Sequence, residues 1–270
     1  MKRILLALAA AALPLFASAA TTVKGSDTMV ILAQRWAEEY MKSNPGKKVQ
    51  VTGGGSGVGI AALINGTTDI ANSSRSIKGD EKAKVRDRYS VLPTETAVAK
   101  DGVTVYVHES NPVAQLTTDQ LRGIFNGDIT NWKEVGGPDA KIALYSRENS
   151  SGTYVFFKEH VLQGDDYAPQ AQTLPGTAAV VNAVAKEKLG IGYGGAAYAK
   201  GVREVKVVAK DGQAYLPTAE NIAANKYPLA RPLFMYTRGK PSGEAADFIR
   251  YCLSPEGQAL VSKVGYFPVK

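Results

Sequence analysis

Apolar positions recur along this chain with two different periods. Met29, Ala33, Trp36, Ala37 and Tyr40 fall at helical spacing, with Glu38, Glu39 and Lys42 on another face, which predicts an amphipathic helix. Asn44-Pro45-Gly46 stops it. Further helices are expected over 60–64, 118–125, from the stretch beginning at 146 to about 162, and over 176–188, 243–253 and 255–263. Runs rich in β-branched residues predict strands at 22–24, 49–52, within 68–74, and at 95–99, 103–108, 141–145, 190–195, 205–208 and 233–236. Asp101-Gly102 separates the fourth strand from the fifth. Strands alternating with helices argue an α/β architecture.

Between these elements one local order repeats: strand, a loop of Gly, Ser and Thr, then helix. It occurs at "GSDT" from Gly25, at "GGGSGVG" from Gly53 and at "SRENSSGTY" from Ser146, with a related loop at Asn72. The first turn of a helix carries N–H groups without internal partners and a partial positive charge, so an anion seated there satisfies both. Gly lets the backbone approach closely, and Ser and Thr add donors without bulk. Arg147 can grip an oxyanion with two parallel bonds, and Arg75 adds a second positive charge. An ordinary helix cap uses the same residue types, and Ser26, Asp27 or Thr28 can cap the first helix. Each loop alone therefore leaves both readings open, but three of one kind favour an oxyanion site.

The first twenty residues stand apart from this pattern. Lys2 and Arg3 are followed by an apolar run from Ile4 to Phe16 and by Ala17-Ser18-Ala19, the order of a cleaved export signal. The run is too short to span a bilayer comfortably. A soluble exported product is expected, with cleavage near 19–20. The formal charge is +7, of which Lys2 and Arg3 supply two, leaving +5 on the remainder. Its positive residues are scattered, which excludes a nucleic-acid stripe and suits mild steering of small anions. Cys252 is the only cysteine, so no internal disulfide forms, and its apolar neighbours suggest a buried, inert thiol. His108 and His160 lie far apart without metal-ligand spacing. "GIGYGG" at Gly190 fits a dinucleotide pattern but follows a helix and has strand character inside it. "GGGSGVG" lacks both the second Gly of a nucleophile elbow and the Lys of a phosphate-binding P-loop. A secreted hydrolase using Ser56 or Ser151 would need a base that neither Gly-Ser loop supplies.

Taken in order, "GSDT", "GGGSGVG", "SSRSIK" at Ser73, "LRGIFNGDITNW" at Leu121, "SRENSSGTY", "IGYGG", "YPLARPLFMYT" at Tyr227 and "SPEGQALVSKVGYFPV" at Ser254 resemble the phosphate-binding periplasmic proteins of ABC-type importers. The likeness covers nearly all of the chain after the signal. It implies a two-lobed periplasmic-binding-protein fold of type II-like form, with two crossover strands and the ligand in the cleft. The lobes are expected at 21–106 plus 234–270 and at 107–233. It implies inorganic phosphate as ligand, an ABC permease as partner, a monomer in the periplasm, and neither catalysis, cofactor nor metal. The family's Arg, followed four residues later by Ser-Gly-Thr, matches Arg147, Ser151, Gly152 and Thr153. Ser56 and Gly57 match its first Gly-rich loop, and Ser26, Asp27 and Thr28 its first helix entry. Ser74, beside Arg75, stands where well-studied members carry an Asp that accepts the proton of phosphate. Another oxyanion or a phosphorylated metabolite is the alternative ligand.

Overall fold

The structure is a computed structural model and describes residues 20–269. The expected signal at 1–20 lies, but for its last residue, outside the described residues. Among the described residues eleven strands run in chain order: β1 (Thr21–Gly25), β2 (Val49–Thr52), β3 (Ile70–Ser73), β4 (Pro93–Val107), β5 (Gln115–Thr117), β6 (Ala143–Arg147), β7 (Gln172–Leu174), β8 (Gly190–Gly195), β9 (Arg203–Val208), β10 (Ala214–Tyr215) and β11 (Ala230–Arg238). The helices are α1 (Val30–Ser43), α2 (Ser56–Asn65), α3 (Gly79–Tyr89), α4 (Thr118–Asn126), α5 (Gly152–His160), α6 (Thr177–Lys186), α7 (Ala219–Ala223), α8 (Gly243–Cys252) and α9 (Pro255–Val264).

The main path of the sheet runs β2-β1-β3-β11-β4-β8-β6-β7. β1 pairs in parallel with β2 and β3, and β6 in parallel with β7 and β8. β4 and β11 are antiparallel to each other and join the two parallel groups. Two large apolar clusters follow the same division. Trp36, Tyr40, Val98, Ala99, Leu233, Met235, Phe248 and Cys252 belong to one. Val103, Val105, Phe125, Trp132, Phe157, Tyr193 and Leu229 belong to the other. β4 therefore changes cores between Ala99 and Val103, and β11 between its N-terminal end and Leu233. The two strands expected on either side of Asp101-Gly102 are one continuous strand. Asp101 and Gly102 keep the ladder by pairing with Arg231 and Ala230, so pairing overrides the local turn signal.

The first amphipathic face is as expected: Met29, Ala33, Trp36, Ala37 and Tyr40 are all buried, and the Trp36 indole N–H donates to the Gly257 carbonyl at 2.8 Å. "GIGYGG" is strand β8, buried along its whole length beside β4, rather than a nucleotide loop. Helix α3 was not foreseen. Its buried apolar content is Val85 alone, so it carries almost no amphipathic signal. α2 starts earlier than expected, at Ser56, because Gly55 adopts a left-handed φ of 95° and turns the chain into the helix there. Among the described residues no helix is long and apolar enough to cross a membrane.

Candidate oxyanion site

Each of the repeated loops leaves the carboxyl end of a parallel strand, where ligands gather in open α/β sheets. β1 leads to Ser26, Asp27 and Thr28, β2 to Ser56, β3 to Ser74 and β6 to the loop before α5. These loops converge. The Ser26 hydroxyl donates to Ser74 Oγ at 2.9 Å, and Ser74 Oγ lies 3.3 Å from Ser56 Oγ. Ser56 Oγ also accepts the Ser74 backbone N–H. From the other apolar half, Gly152 closes against the same group: a Cβ placed on it would stand 2.7 Å from Ser74 Oγ and nearer still to Ser56 Oγ. The Thr28 and Thr153 hydroxyls bond to each other at 2.7 Å. All five hydroxyls of Ser26, Thr28, Ser56, Ser74 and Thr153 are buried.

Loop by loop, the choice between cap and site resolves differently. None of Ser26, Asp27 and Thr28 makes a side-chain cap; Ser26 and Thr28 turn to Ser74 and Thr153 instead. Ser56 is inside α2 and caps nothing, since Gly55 holds the N-cap position. Ser151 is the reverse case, an N-cap whose Oγ accepts N–H bonds from Thr153 and Tyr154. The Gly57 N–H donates to the Ser150 carbonyl at 2.9 Å, so the α2 start and the α5 loop touch directly.

Two guanidiniums border the hydroxyls. Arg147 is 1% exposed; it donates through Nη2 to Asp27 and Glu148, through Nε to Glu148 and through Nη1 to the Thr177 hydroxyl. Asp27 uses its other oxygen to accept the Gly54 N–H at 2.7 Å. Arg231, 4% exposed, donates to Thr153 Oγ1 at 2.9 Å and to the Ser74 carbonyl at 3.0 Å. Its Nε and Nη2 both reach one oxygen of Asp101, which is 1% exposed. Burial pushes the Arg231 guanidinium below its usual value, and the Asp101 carboxylate opposes that shift. Two cations thus face three carboxylates, so the pocket is not positive by side chains alone. Attraction for an anion has to come from N–H and O–H dipoles together with the guanidinium forks.

Arg75 is the expected residue that does not converge. Its two terminal nitrogens are bonded to the carboxylate of Glu81 at 2.8 and 2.7 Å. Glu81 also accepts the Lys78 N–H at the start of α3, so the ion pair and the helix cap share one carboxylate. Arg231, Asp101 and Thr177 were missed. Arg231 lies inside β11, and Asp101 lies inside β4 where the sequence pattern reads as a turn between two strands. Thr177 was legible: Gly176-Thr177 follows β7 and opens α6 in the same order as the other loops. Neither histidine stands beside a loop serine of the site. His108 Nδ1 bonds Ser110 Oγ, and His160 Nδ1 bonds the Phe156 carbonyl.

Residues 15–256 match the PBP superfamily domain. The phosphate-binding protein PstS of Pseudomonas aeruginosa is 35% identical over 263 residues, covering 91% of this chain and 81% of that protein. PstS of Staphylococcus haemolyticus is 35% identical over 246 residues, covering 87% and 77%. The chain belongs to the PstS-type phosphate-binding proteins. In that family the fold matches as well as the sequence. A Clostridium perfringens structure described as a phosphate ABC transporter substrate-binding protein with bound phosphate superposes with a TM-score of 0.85 at 32% identity, covering 93% of this chain and all of that one. An ABC-type phosphate transport receptor from Vibrio cholerae gives 0.73 at 31%, covering 91% and 98%. The two-lobed α/β fold expected from the sequence is the fold of these relatives.

Proposed function

We propose that this chain captures inorganic phosphate and hands it to the membrane permease of an ABC importer, without chemistry of its own. The observation that carries the reading is the meeting, around Gly152, of hydroxyls and helix starts from both apolar halves. Ser26, Thr28, Ser56 and Ser74 come from one half, and Ser151, Gly152 and Thr153 from the other. In this reading Arg147 and Asp27 belong to the ligand's immediate surroundings, with Gly57 at the α2 start; Arg75 supports the Ser74 loop through Glu81 rather than holding the ligand. The lobes are 21–106 plus 234–270 and 107–233, with the change of core inside β4 and β11 supporting a hinge a few residues before each boundary. The protein works in the periplasm after loss of its signal.

Hydroxyls both donate and accept, so a ring of them suits an oxyanion that still carries a proton. A hydroxyl can turn to donate to sulfate, so the discrimination falls to an acceptor-only group such as the Asp27 carboxylate, which gains no bond from sulfate, an anion with no proton to offer at neutral pH, at a cost of about 1–3 kcal/mol. Phosphate is therefore bound in preference to sulfate despite Ser74 at the usual Asp position. Titration calorimetry with each anion tests this: phosphate binds one to one and sulfate at least tenfold more weakly, whereas equal affinities would defeat the preference. The hydrolase alternative finds no support in the site, since among the described residues neither His108 nor His160 is hydrogen-bonded to Ser56 or Ser151.

A further inference from the structure

β6 carries Arg147 at its carboxyl end, where the ladder holds it on one edge alone. Tyr145, Ser146 and Arg147 pair with β7, but β6 pairs with β8 only at Ala143 and Leu144. Two residues further along that register Ser146 would face Tyr193, and there side chains take over from the ladder. Ser146 Oγ lies 2.9 Å from the Tyr193 hydroxyl, which donates to the Tyr167 hydroxyl at 2.8 Å; Tyr167 in turn donates to the Tyr154 carbonyl at 3.0 Å. Each hydroxyl has one proton to give. Tyr167 and Tyr193 have spent theirs, so Ser146 is the donor at the head of the chain. The bonds run in one direction, from the residue before Arg147 to the residue after Thr153.

Packing alone does not account for these hydroxyls. Tyr193 is fully buried; its ring stacks on Phe157 with centroids 4.0 Å apart and meets Phe125 edge-on at 5.4 Å. A Phe ring would fill that place as well, and a buried hydroxyl costs stability unless it is bonded. Burial pushes the Tyr193 phenol up to about 12 and raises Tyr167 as well, so at neutral pH both stay protonated and can donate and accept. The Tyr167 ring stacks on Tyr154 at 4.5 Å. Tyr154 is therefore held at three points, since its N–H is also bonded to the Ser151 cap. We propose that Tyr193 is a positioning residue of the oxyanion site. Through Ser146 and Tyr167 it fixes the end of β6 against the first turn of α5, so that the Arg147 guanidinium and the Ser151–Thr153 turn meet a ligand at one set spacing. It acts through Arg147 rather than on the ligand. This role deepens the phosphate reading and rests on it.

Tyr193→Phe keeps the ring contacts and removes the hydroxyl. Inorganic phosphate, titrated by calorimetry into the mature chain, should bind this variant about threefold to tenfold more weakly than wild type. The same change made in Arg147→Ala should alter phosphate affinity by less than about twofold, because the group being positioned is gone. A general loosening of the fold would instead weaken both backgrounds alike. Tyr167→Phe cuts the chain at its next link and should give the same pattern; it takes the place of Tyr193→Phe if urea unfolding shows that variant not to fold. Phosphate affinity equal to wild type in the folded variant overturns the proposal. So does a loss of equal size with and without Arg147. A wild-type chain that binds no phosphate overturns the phosphate reading and this role with it, whereas intact wild-type binding with either of the two preceding results overturns this role alone.

Discussion

At the scale of single residues, the site is a set of buried ion pairs faced by hydroxyls. Arg147 and Arg231 differ in what their removal leaves behind. Arg147→Ala leaves Asp27 with the Gly54 N–H and Glu148 partly exposed. Its main effect is the loss of a charge-assisted contact, and calorimetry should show phosphate affinity reduced by roughly 2–3 kcal/mol. Arg231→Gln strands the Asp101 carboxylate in the interior. Breaking such a pair costs about 3–5 kcal/mol of stability, so urea unfolding should report the larger change there. Arg231→Lys keeps the charge but not the fork that spans Asp101, Thr153 and Ser74; it should fold better than Arg231→Gln and still bind phosphate weakly. Arg147 was legible from its place before Ser-Gly-Thr. Arg231 was not, because a strand interior gives a long cation no local reason to be there. Only the partner strand, which brings Asp101 opposite, explains it.

At the scale of elements, serines at helix starts divide into caps and site groups. Ser151 caps α5, so Ser151→Ala should cost about 0.5–2 kcal/mol of stability. Ser56→Ala removes no cap; its effect should fall on phosphate affinity, with a smaller change in thermal midpoint than Ser151→Ala produces. The start of α3 carries a pH dependence. Burial raises the Glu81 carboxyl, but bonds from Arg75 and from the Lys78 N–H outweigh that, and its pKa lies below the ordinary carboxylate value. A depressed folded pKa contributes stability that is complete above the unfolded pKa and fades as pH falls through the folded one. Glu81→Gln should therefore destabilise by roughly 1.5–3 kcal/mol at neutral pH. The gap from wild type, followed by urea unfolding, should close as pH falls below about 4. A gap independent of pH would remove Glu81 as its source.

At the scale of the whole molecule, two cores are joined by two long strands, and the proposed site lies where the two halves touch. Thr28 with Thr153, Asp27 with Arg147 and Gly57 with Ser150 all link one half to the other. On the proposed placement of phosphate among these groups, the ligand adds bonds only when the halves meet and should shift the protein toward that arrangement. Small-angle scattering should show a smaller radius of gyration on addition of phosphate to protein freed of it. No compaction would argue against a hinge in β4 and β11.

The sequence by itself determined the α/β alternation, the amphipathic face of α1, the loops at Ser26, Ser56 and Ser151, and the order of motifs that marks the family. These are local signals: periodicity, capping chemistry and glycine placement act within one turn or one strand. The tertiary structure decided that β4 is continuous, that Ser26, Ser56 and Ser74 meet Gly152 at one point, that Arg75 turns to Glu81, and that Arg231 and Asp101 complete the wall. Apart from the Arg75–Glu81 pair, six residues apart, those outcomes depend on which strands lie side by side, and pairing between strands distant in the chain, such as the one that brings Asp101 opposite Arg231, 130 residues away, leaves no trace in the local spacing of side chains.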